Sequence, residues 1–463
     1  MSIYKACDIR GHYGSELTNE HATRLGLALA QHSGGQEFIV GGDGRLSTPE
    51  LKHHLIAALS YAGCAVVDIG IVSTPALYYA RLHLGIPPAV MVTASHNPPG
   101  DNGFKISLAR LPVKPEDITA LARIMESIAP DQLAAVESYL ASIAAPMGEI
   151  PGVRSIDIKP AYVAFALTQT QRLDGMRVVV DCANGAAALV ARDIWGATGA
   201  DVTYLYDTVD GRFPNHPPDP SHAENLGALC QSVVDKHADL GVAYDGDGDR
   251  VMFVDALGRP LSGDRAIVLF ARRALADSPA PIVYDQKCSM IVADAIRALH
   301  GEPVLERSGH TFIKSTFMRR DAPYAGEISG HHFFRLLQGD DGLIASLYMA
   351  GILKDTGKSL TQLSDGIKAY PITPDIRIHM ENAAAQQVLA DLRAGLAGEA
   401  ALSTRDGLRA EFADGWGIAR LSVTEAAMTL RFEGKDAASL QRIMRRFEQA
   451  APSLSGLLPI TPD

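Results

Sequence analysis

The chain has 463 residues, more than one hydrophobic core usually holds, and at about 150 residues per domain it should divide into three or four units. Hydrophobic residues at 47% and charged residues at 21% are globular values, which excludes disordered, collagen-like and membrane classes. The formal net charge of -11 would repel nucleic acid or an anionic membrane, so a phosphate ligand needs a local cluster of Lys, Arg and backbone N–H groups.

The first stretch, "MSIYKACDIRGHYGSE", carries charges where a signal peptide needs an apolar run, and no apolar segment approaches the roughly 18 residues of a membrane span. Five scattered cysteines without a C-x-x-C pair argue against a disulfide framework or a zinc cluster. A soluble, cytoplasmic protein is expected.

Taken in chain order, "FIVGGDGR" (38–45), "VVVDCANG" (178–185) and "PIVYDQKC" (281–288) each run from a β-rich stretch into an Asp and a small or polar loop. A second apolar stretch follows in each third and ends in a dense polar loop: "AVMVTASHNP" (89–98), "LGVAYDGDGDR" (240–250) and "PYAGEISGHH" (323–332). Amphipathic stretches such as "PELKHHLIAALSYAG" (49–63) and "AENLGALCQSVVDKHA" (223–238) lie between them, so strand and helix alternate. Three related α/β units are expected, each presenting a polar loop at a strand end, where α/β sheets bind ligands. The last stretch, with "ARLSVTEAAMTLRFEG" (419–434) before a helix-like "DAASLQRIMRRFEQAA" (436–451), suggests a smaller α+β domain. The expected units are 1–150, 151–257, 258–370 and 371–463.

In "YDGDGDRV", Asp245, Asp247 and Asp249 alternate with glycines and can gather round one hard cation. An EF-hand fails because Arg250 and Ala256 stand where Gly and an acidic ligand are required. Three carboxylates beside Arg250 suit Mg²⁺ that shares a phosphate oxygen with the protein. A phosphate carried on Ser95 would then be a transferable group. A Ser/His/Asp hydrolase lacks its G-x-S-x-G elbow here, and on an extended strand His96 would point away from Ser95. In "GEISGHHFF", alternation would set Glu327, Ser329 and His331 on one face as a hydroxyl-binding set with an imidazole. In "GWGIARLSVTEAA" (415–427), Arg420, Ser422 and Thr424 form a phosphate-binding composition, although a polar sheet face would look the same.

Together "TASHNP", "DGDGDR", "GEISGHH" and "RLSVTE" resemble, in order and over essentially the whole chain, the four signatures of the α-D-phosphohexomutase family, nearest its bacterial phosphomannomutase/phosphoglucomutase branch. The resemblance implies a heart-shaped arrangement of four domains, three related α/β domains with mixed sheets and a smaller C-terminal α+β domain. It implies an isomerase that moves phosphate between the 1- and 6-positions of mannose or glucose phosphates through phospho-Ser95 and a hexose 1,6-bisphosphate, which also serves as activator. Ser95 would complete a Mg²⁺ site with Asp245, Asp247 and Asp249, and Glu327 and Ser329 would contact sugar hydroxyls. Arg10, Lys105, Arg250, Lys287, His310 and His331 fall on family positions around the site. Of these, Lys105 and His331 are the proton-transfer candidates, because Arg does not deprotonate usefully. The implied partners are small sugar phosphates, with no nucleic acid, membrane or obligate protein partner.

Three departures from the family pattern stand out. Val423 occupies a position usually Asn or Gly and Ala426 one where Pro is common, while Cys7 replaces an aromatic residue before "DIRG". Thr93 before "ASHNP" and Ile328 in the sugar loop favour the mannose/glucose branch over phosphoglucosamine mutase. A metal-dependent sugar phosphatase is the alternative of another class.

Overall fold

The computed structural model describes residues 2–143, 150–421 and 427–458. Their strands form four sheets. The first contains β1 (Ile9–His12), β2 (Phe38–Gly42), β3 (Val66–Ile71), β4 (Ala89–Val92), β5 (Asp101–Ser107) and β6 (Val153–Ser155), in the order β1-β5-β4-β2-β3-β6. The second contains β7 (Arg177–Asp181), β8 (Asp201–Leu205), β9 (Leu240–Tyr244) and β10 (Val251–Asp255), in the order β10-β9-β7-β8. The third contains β11 (Pro281–Asp285), β12 (Glu302–Glu306), β13 (Tyr324–Gly326), β14 (His332–Phe334) and β15 (Gly339–Asp340), in the order β12-β11-β13-β14-β15.

The repeat expected from the sequence is present as topology. In each of these sheets one strand lies parallel between two others, β2 between β3 and β4, β7 between β8 and β9, β11 between β12 and β13. An antiparallel strand, β5, β10 or β14, then pairs with the second neighbour. The three polar loops connect these antiparallel pairs, all at the C-terminal ends of parallel strands, the edge at which open α/β sheets bind ligands. The edge strand β6 pairs in parallel with β3, so the first sheet draws on residues beyond the expected boundary at 150.

The fourth sheet is antiparallel, β16 (Ile376–His379), β20 (Ala427–Gly434), β19 (Gly415–Leu421), β18 (Leu408–Phe412) and β17 (Ala401–Ser403) in that order. It has its own core, in which Phe432 and Phe447 meet edge to face at 4.9 Å between ring centroids.

The first three units share a continuous apolar cluster. The helix Gly342–Thr356 shows why, because a helix that is apolar on every side must be buried on every side. It starts at Asp341, whose carboxylate accepts from the Ile344 N–H at 2.8 Å, and packs between the second sheet and the helix Gly263–Ala274. Tyr162 also donates to Asp341 at 2.8 Å, so the cap ties the second unit to the third. Among the described residues no helix is long and apolar enough to cross a membrane.

One buried side chain shapes the loop after β4. Arg45 is 1% exposed and directs its guanidinium at four carbonyl oxygens, those of Pro98 (2.7 Å), Asp101 (2.9 Å), Ser95 (2.7 Å) and Asn97 (2.7 Å), while Nε faces Asp43 at 3.2 Å. All five guanidinium donors are therefore used, and only Arg supplies five in one plane. Arg45→Lys removes two of those donors and should lower stability by about 3 kcal/mol, because buried carbonyls lose their partners. Urea unfolding of the two proteins measures the difference.

Candidate active site

The loop after β4 does not continue as extended chain. Ser95 has φ of 52°, in the left-handed region, and its N–H is satisfied by Thr93 Oγ1 at 2.8 Å. This turn brings His96 back, so that His96 Nδ1 lies 3.3 Å from Ser95 Oγ. Alternation along a strand predicted opposite directions for the two side chains, and the left-handed residue is the reason it fails. Burial, with the cationic Arg250, Arg10 and Lys105 nearby, pushes His96 well below the usual histidine range, so the imidazole is neutral.

Ser95 Oγ donates to Asp245 Oδ2 at 2.7 Å, joining the first loop to the second. Asp245, Asp247 and Asp249 are fully buried and offer ligand atoms that all lie within 4.8 Å of one another. The glycines between them have separate reasons. A Cβ on Gly246 would lie 2.4 Å from the Ser95 carbonyl oxygen, and Gly248 has φ of +80°.

Asp245 Oδ1 accepts the N–H groups of Gly248 (3.0 Å) and Arg250 (3.1 Å), and Asp247 Oδ2 accepts from Thr74 Oγ1 (2.6 Å). Asp247 Oδ1 and Asp249 Oδ1 are buried with no hydrogen-bond partner. Such orphaned carboxylate oxygens are costly in a protein interior, and a hard cation satisfies them. The site fits a metal ion.

Lys105, on β5, donates to Asp247 at 2.7 Å and Asp249 at 2.5 Å. Burial alone would lower its pKa, yet the two carboxylates hold it well above the usual lysine range.

The third loop is a tight turn. Glu327 N–H donates to the His331 carbonyl at 2.9 Å and Gly330 N–H to the Glu327 carbonyl at 3.0 Å. Glu327, Ser329 and His331 therefore do not share a face by strand alternation, because the antiparallel pairing of Gly326 with His332 forces the chain to reverse between them. They nevertheless remain near one another, and Glu327 Oε2 and Ser329 Oγ are buried without hydrogen-bond partners. Burial pushes the Glu327 carboxyl up, against the nearby His331.

This loop meets the second through backbone pairing of Arg250 with His331 and through Arg250 Nε, which donates to His331 Nε2 at 3.0 Å. His331 Nδ1 lies 2.7 Å from Asp340 Oδ2, and its ring stacks on His310 with centroids 5.4 Å apart. Burial lowers His310 to about 3. Although burial opposes it, His331, Lys314 and His310 hold Asp340 well below the usual carboxylate range.

The remaining sequence-predicted residues lie farther out. Arg10 points Nη1 at the Ala94 carbonyl (3.2 Å) and Asn97 Oδ1 (3.3 Å), bracing the serine loop from outside. Lys287 and Arg420 face carboxylates of the fourth unit, Asp375 at 3.9 Å and Asp406 at 3.0 Å. Ser422 and Thr424, like Val423 and Ala426, lie outside the described residues. Cys7 is half-buried next to Thr311, and burial pushes its thiol up to about 11.

Sequence reasoning missed Asp340, Thr74, Asp219 and Arg45, and it took Thr93 only as a marker of the mannose/glucose branch. Asp219 stands 3.9 Å from Arg250, and Thr93 Oγ1 donates to Asp43 at 2.7 Å. The doubled Asp in "GDDG" is the one sequence signal for Asp340, since its neighbour Asp341 caps a helix and leaves the other acid unexplained.

Sequence models of four successive domains match the chain. They are the phosphoglucomutase/phosphomannomutase alpha/beta/alpha domain I over residues 1–132, domain II over 160–258, domain III over 262–370 and the C-terminal domain over 375–450. A phosphomannomutase/phosphoglucomutase of Pseudomonas aeruginosa is 38% identical over 466 residues, covering 99% of this chain and 97% of the relative. A phosphoglucomutase of Neisseria gonorrhoeae is 36% identical, covering 97% of each chain. Among solved structures, a phosphoglucomutase/phosphomannomutase family protein from Burkholderia thailandensis superposes with a TM-score of 0.85 at 34% identity, covering 99% of this chain and 98% of that one. With four domain models matched in order and relatives aligned along nearly its full length, the chain belongs to the α-D-phosphohexomutase family, in its bacterial phosphoglucomutase/phosphomannomutase branch.

Proposed function

We propose that the protein reversibly moves phosphate between the 1- and 6-positions of a hexose phosphate, with glucose and mannose phosphates as substrates, through a phosphate carried on Ser95. The observation that carries this reading is the hydrogen bond from the buried Ser95 Oγ to Asp245 at 2.7 Å. It sets a hydroxyl against a trio of carboxylates where loops of three units converge. The names of the relatives support the reaction class.

Asp245, Asp247 and Asp249, with an oxygen on Ser95, would hold Mg²⁺, which when bound neutralises charge on the transferring phosphoryl group. The chain's own groups do the rest. Lys105, whose ammonium already donates to two carboxylates, is an electrostatic partner of the phosphoryl oxygens, and His331, once substrate replaces the Arg250 Nε–H on its Nε2, takes the proton of the attacking sugar hydroxyl. Glu327 and Ser329 offer unpartnered buried oxygens to sugar hydroxyls. Arg10 and Arg250 would assist the transfer, Lys287 and His310 would contact the substrate, and Arg420 with Ser422 and Thr424 would hold the phosphate that is not reacting.

Transfer from Ser95 gives a hexose 1,6-bisphosphate, which turns over and returns its other phosphate to Ser95. The same compound, added in trace, would prime unphosphorylated enzyme. A single catalytic centre thus serves both ends of the sugar, and exclusion of water protects the phosphoserine from hydrolysis.

In a coupled assay with Mg²⁺ and a trace of glucose 1,6-bisphosphate, glucose 1-phosphate and mannose 1-phosphate should give 6-phosphates without free phosphate. Turnover of glucosamine 1-phosphate alone would reassign the substrate, and stoichiometric free phosphate would identify a phosphatase. Ser95→Ala should cut turnover by about 10³-fold or more. Chelation with EDTA should abolish turnover of the native protein and added Mg²⁺ restore it, as the same assay measures.

A further inference from the structure

An arginine at the ligand edge of the third sheet keeps its donors free. Arg307 directly follows β12, so it stands at the C-terminal end of a parallel strand, beside the end of β11. It is half-buried, its Nε is buried without a hydrogen-bond partner, and among the described residues no carboxylate or carbonyl meets its guanidinium. Its backbone N–H alone is bonded, to Glu306 Oε1 at 2.8 Å.

The acids nearby are turned to other donors. Glu306 Oε2 accepts from Thr316 Oγ1 at 2.7 Å, Asp285 accepts from Ser308 Oγ at 2.6 Å, and Asp8 pairs with Arg10 at 2.7 Å. In a chain with a formal net charge of -11, a cation without a counter-charge does not reflect a shortage of acids. An apolar side chain would cover the same surface at lower desolvation cost, so the charge itself has a use.

The guanidinium is nevertheless held in place. Its Cζ lies 3.6 Å from the centroid of the Phe312 ring, in the helix His310–Arg319. A ring face attracts the charge and consumes none of the five N–H donors. Planar donors left unused match the oxygens of a phosphate, which an arginine takes two at a time.

Three units meet around this residue. Burial raises the Cys7 thiol of the first unit, and Arg307 is among the groups close enough to oppose it. Two residues before Arg307, the Leu305 carbonyl accepts from Arg405 Nη1 of the fourth unit at 3.0 Å. Three residues after it, the His310 ring stacks on His331. Arg307 thus lies between the reacting centre and the unit that carries Arg420.

We propose that Arg307 binds the phosphate that is not being transferred, from the third unit, while Arg420 contributes from the fourth. The proposal rests on the reading of the substrate as a hexose phosphate, but its first test needs no phosphoryl transfer.

The first measurement is a calorimetric titration of glucose 1-phosphate with Mg²⁺ into Ser95→Ala, and into Ser95→Ala that also carries Arg307→Gln. The second protein should bind about 10- to 100-fold more weakly, the size of one charge-assisted contact to phosphate. Arg307→Lys, which keeps the charge, should lose less. Arg319→Gln removes an exposed arginine from the far end of the same helix and should leave the affinity unchanged. Equal affinity with and without Arg307, an equal loss from Arg319→Gln, or no binding of glucose 1-phosphate to Ser95→Ala would each overturn the proposal. Without ligand, Arg307→Gln should keep the native thermal midpoint, which a structural role would lower.

The second measurement is the coupled assay on Arg307→Gln alone. KM should rise by the same factor, with kcat changed less than about threefold. A fallen kcat at native KM would place Arg307 on the transferring group and overturn the proposal. Weakened binding in the Arg307→Gln titration, in a protein whose native form turns over no hexose phosphate, would support the binding role and remove the proposed reaction.

Discussion

Four buried carboxylates crowd into one small volume, Asp245, Asp247, Asp249 and Asp340, and each removed from water costs several kcal/mol on the order of known ion burial. Whatever else the fold does, it has to offset that repulsion. Lys105 faces two of these acids, Lys314 and His331 face a third, and Arg250 approaches the fourth at 4.0 Å. The arrangement leaves one oxygen each of Asp247 and Asp249 without a hydrogen-bond partner, in the same carboxylate trio to which Ser95 Oγ donates. The electrostatic deficit and the serine hydroxyl are thus two aspects of one construction, which suits a centre that handles an ion and a phosphoryl group together.

Distributing these groups over three similar sheets has a structural advantage. Each loop sits at the C-terminal end of its own parallel strands and is short because it only joins an antiparallel pair. Contacts between units then lock the loops together, through the Thr74 N–H on the Asp247 carbonyl at 2.9 Å and the pairing of Arg250 with His331. Side chains that could not be adjacent along one strand become neighbours because they belong to different strands. The buried helix Gly342–Thr356 supplies the shared core that fixes these units relative to one another.

The sequence made the repeated strand–loop order, the acidic loop and the serine loop legible, because each is a local pattern of apolar run followed by polar punctuation. Side-chain directions inside the loops were not legible. Strand alternation fails for Ser95 with His96 and for Glu327, Ser329 and His331, because in both places the chain turns, once through a left-handed serine and once through a hairpin closed at Gly330. The missing partners were of a different kind. Arg45 lies 50 residues before the serine whose carbonyl it binds, and Lys314 lies in a helix whose periodicity gives no hint that one lysine faces inward. Such contacts arise only through tertiary proximity.

The left-handed backbone at Ser95 also restricts which hydroxyl the chain can use there. A branched Cβ at positive φ meets its own backbone, so threonine, with the same hydroxyl as serine, is a conformational outlier at this position. Phosphorylation chemistry alone would accept either alcohol. The choice between them is made by a turn whose carbonyls are held by Arg45, so a buried arginine that never touches the hydroxyl helps to set which alcohol the chain can place there.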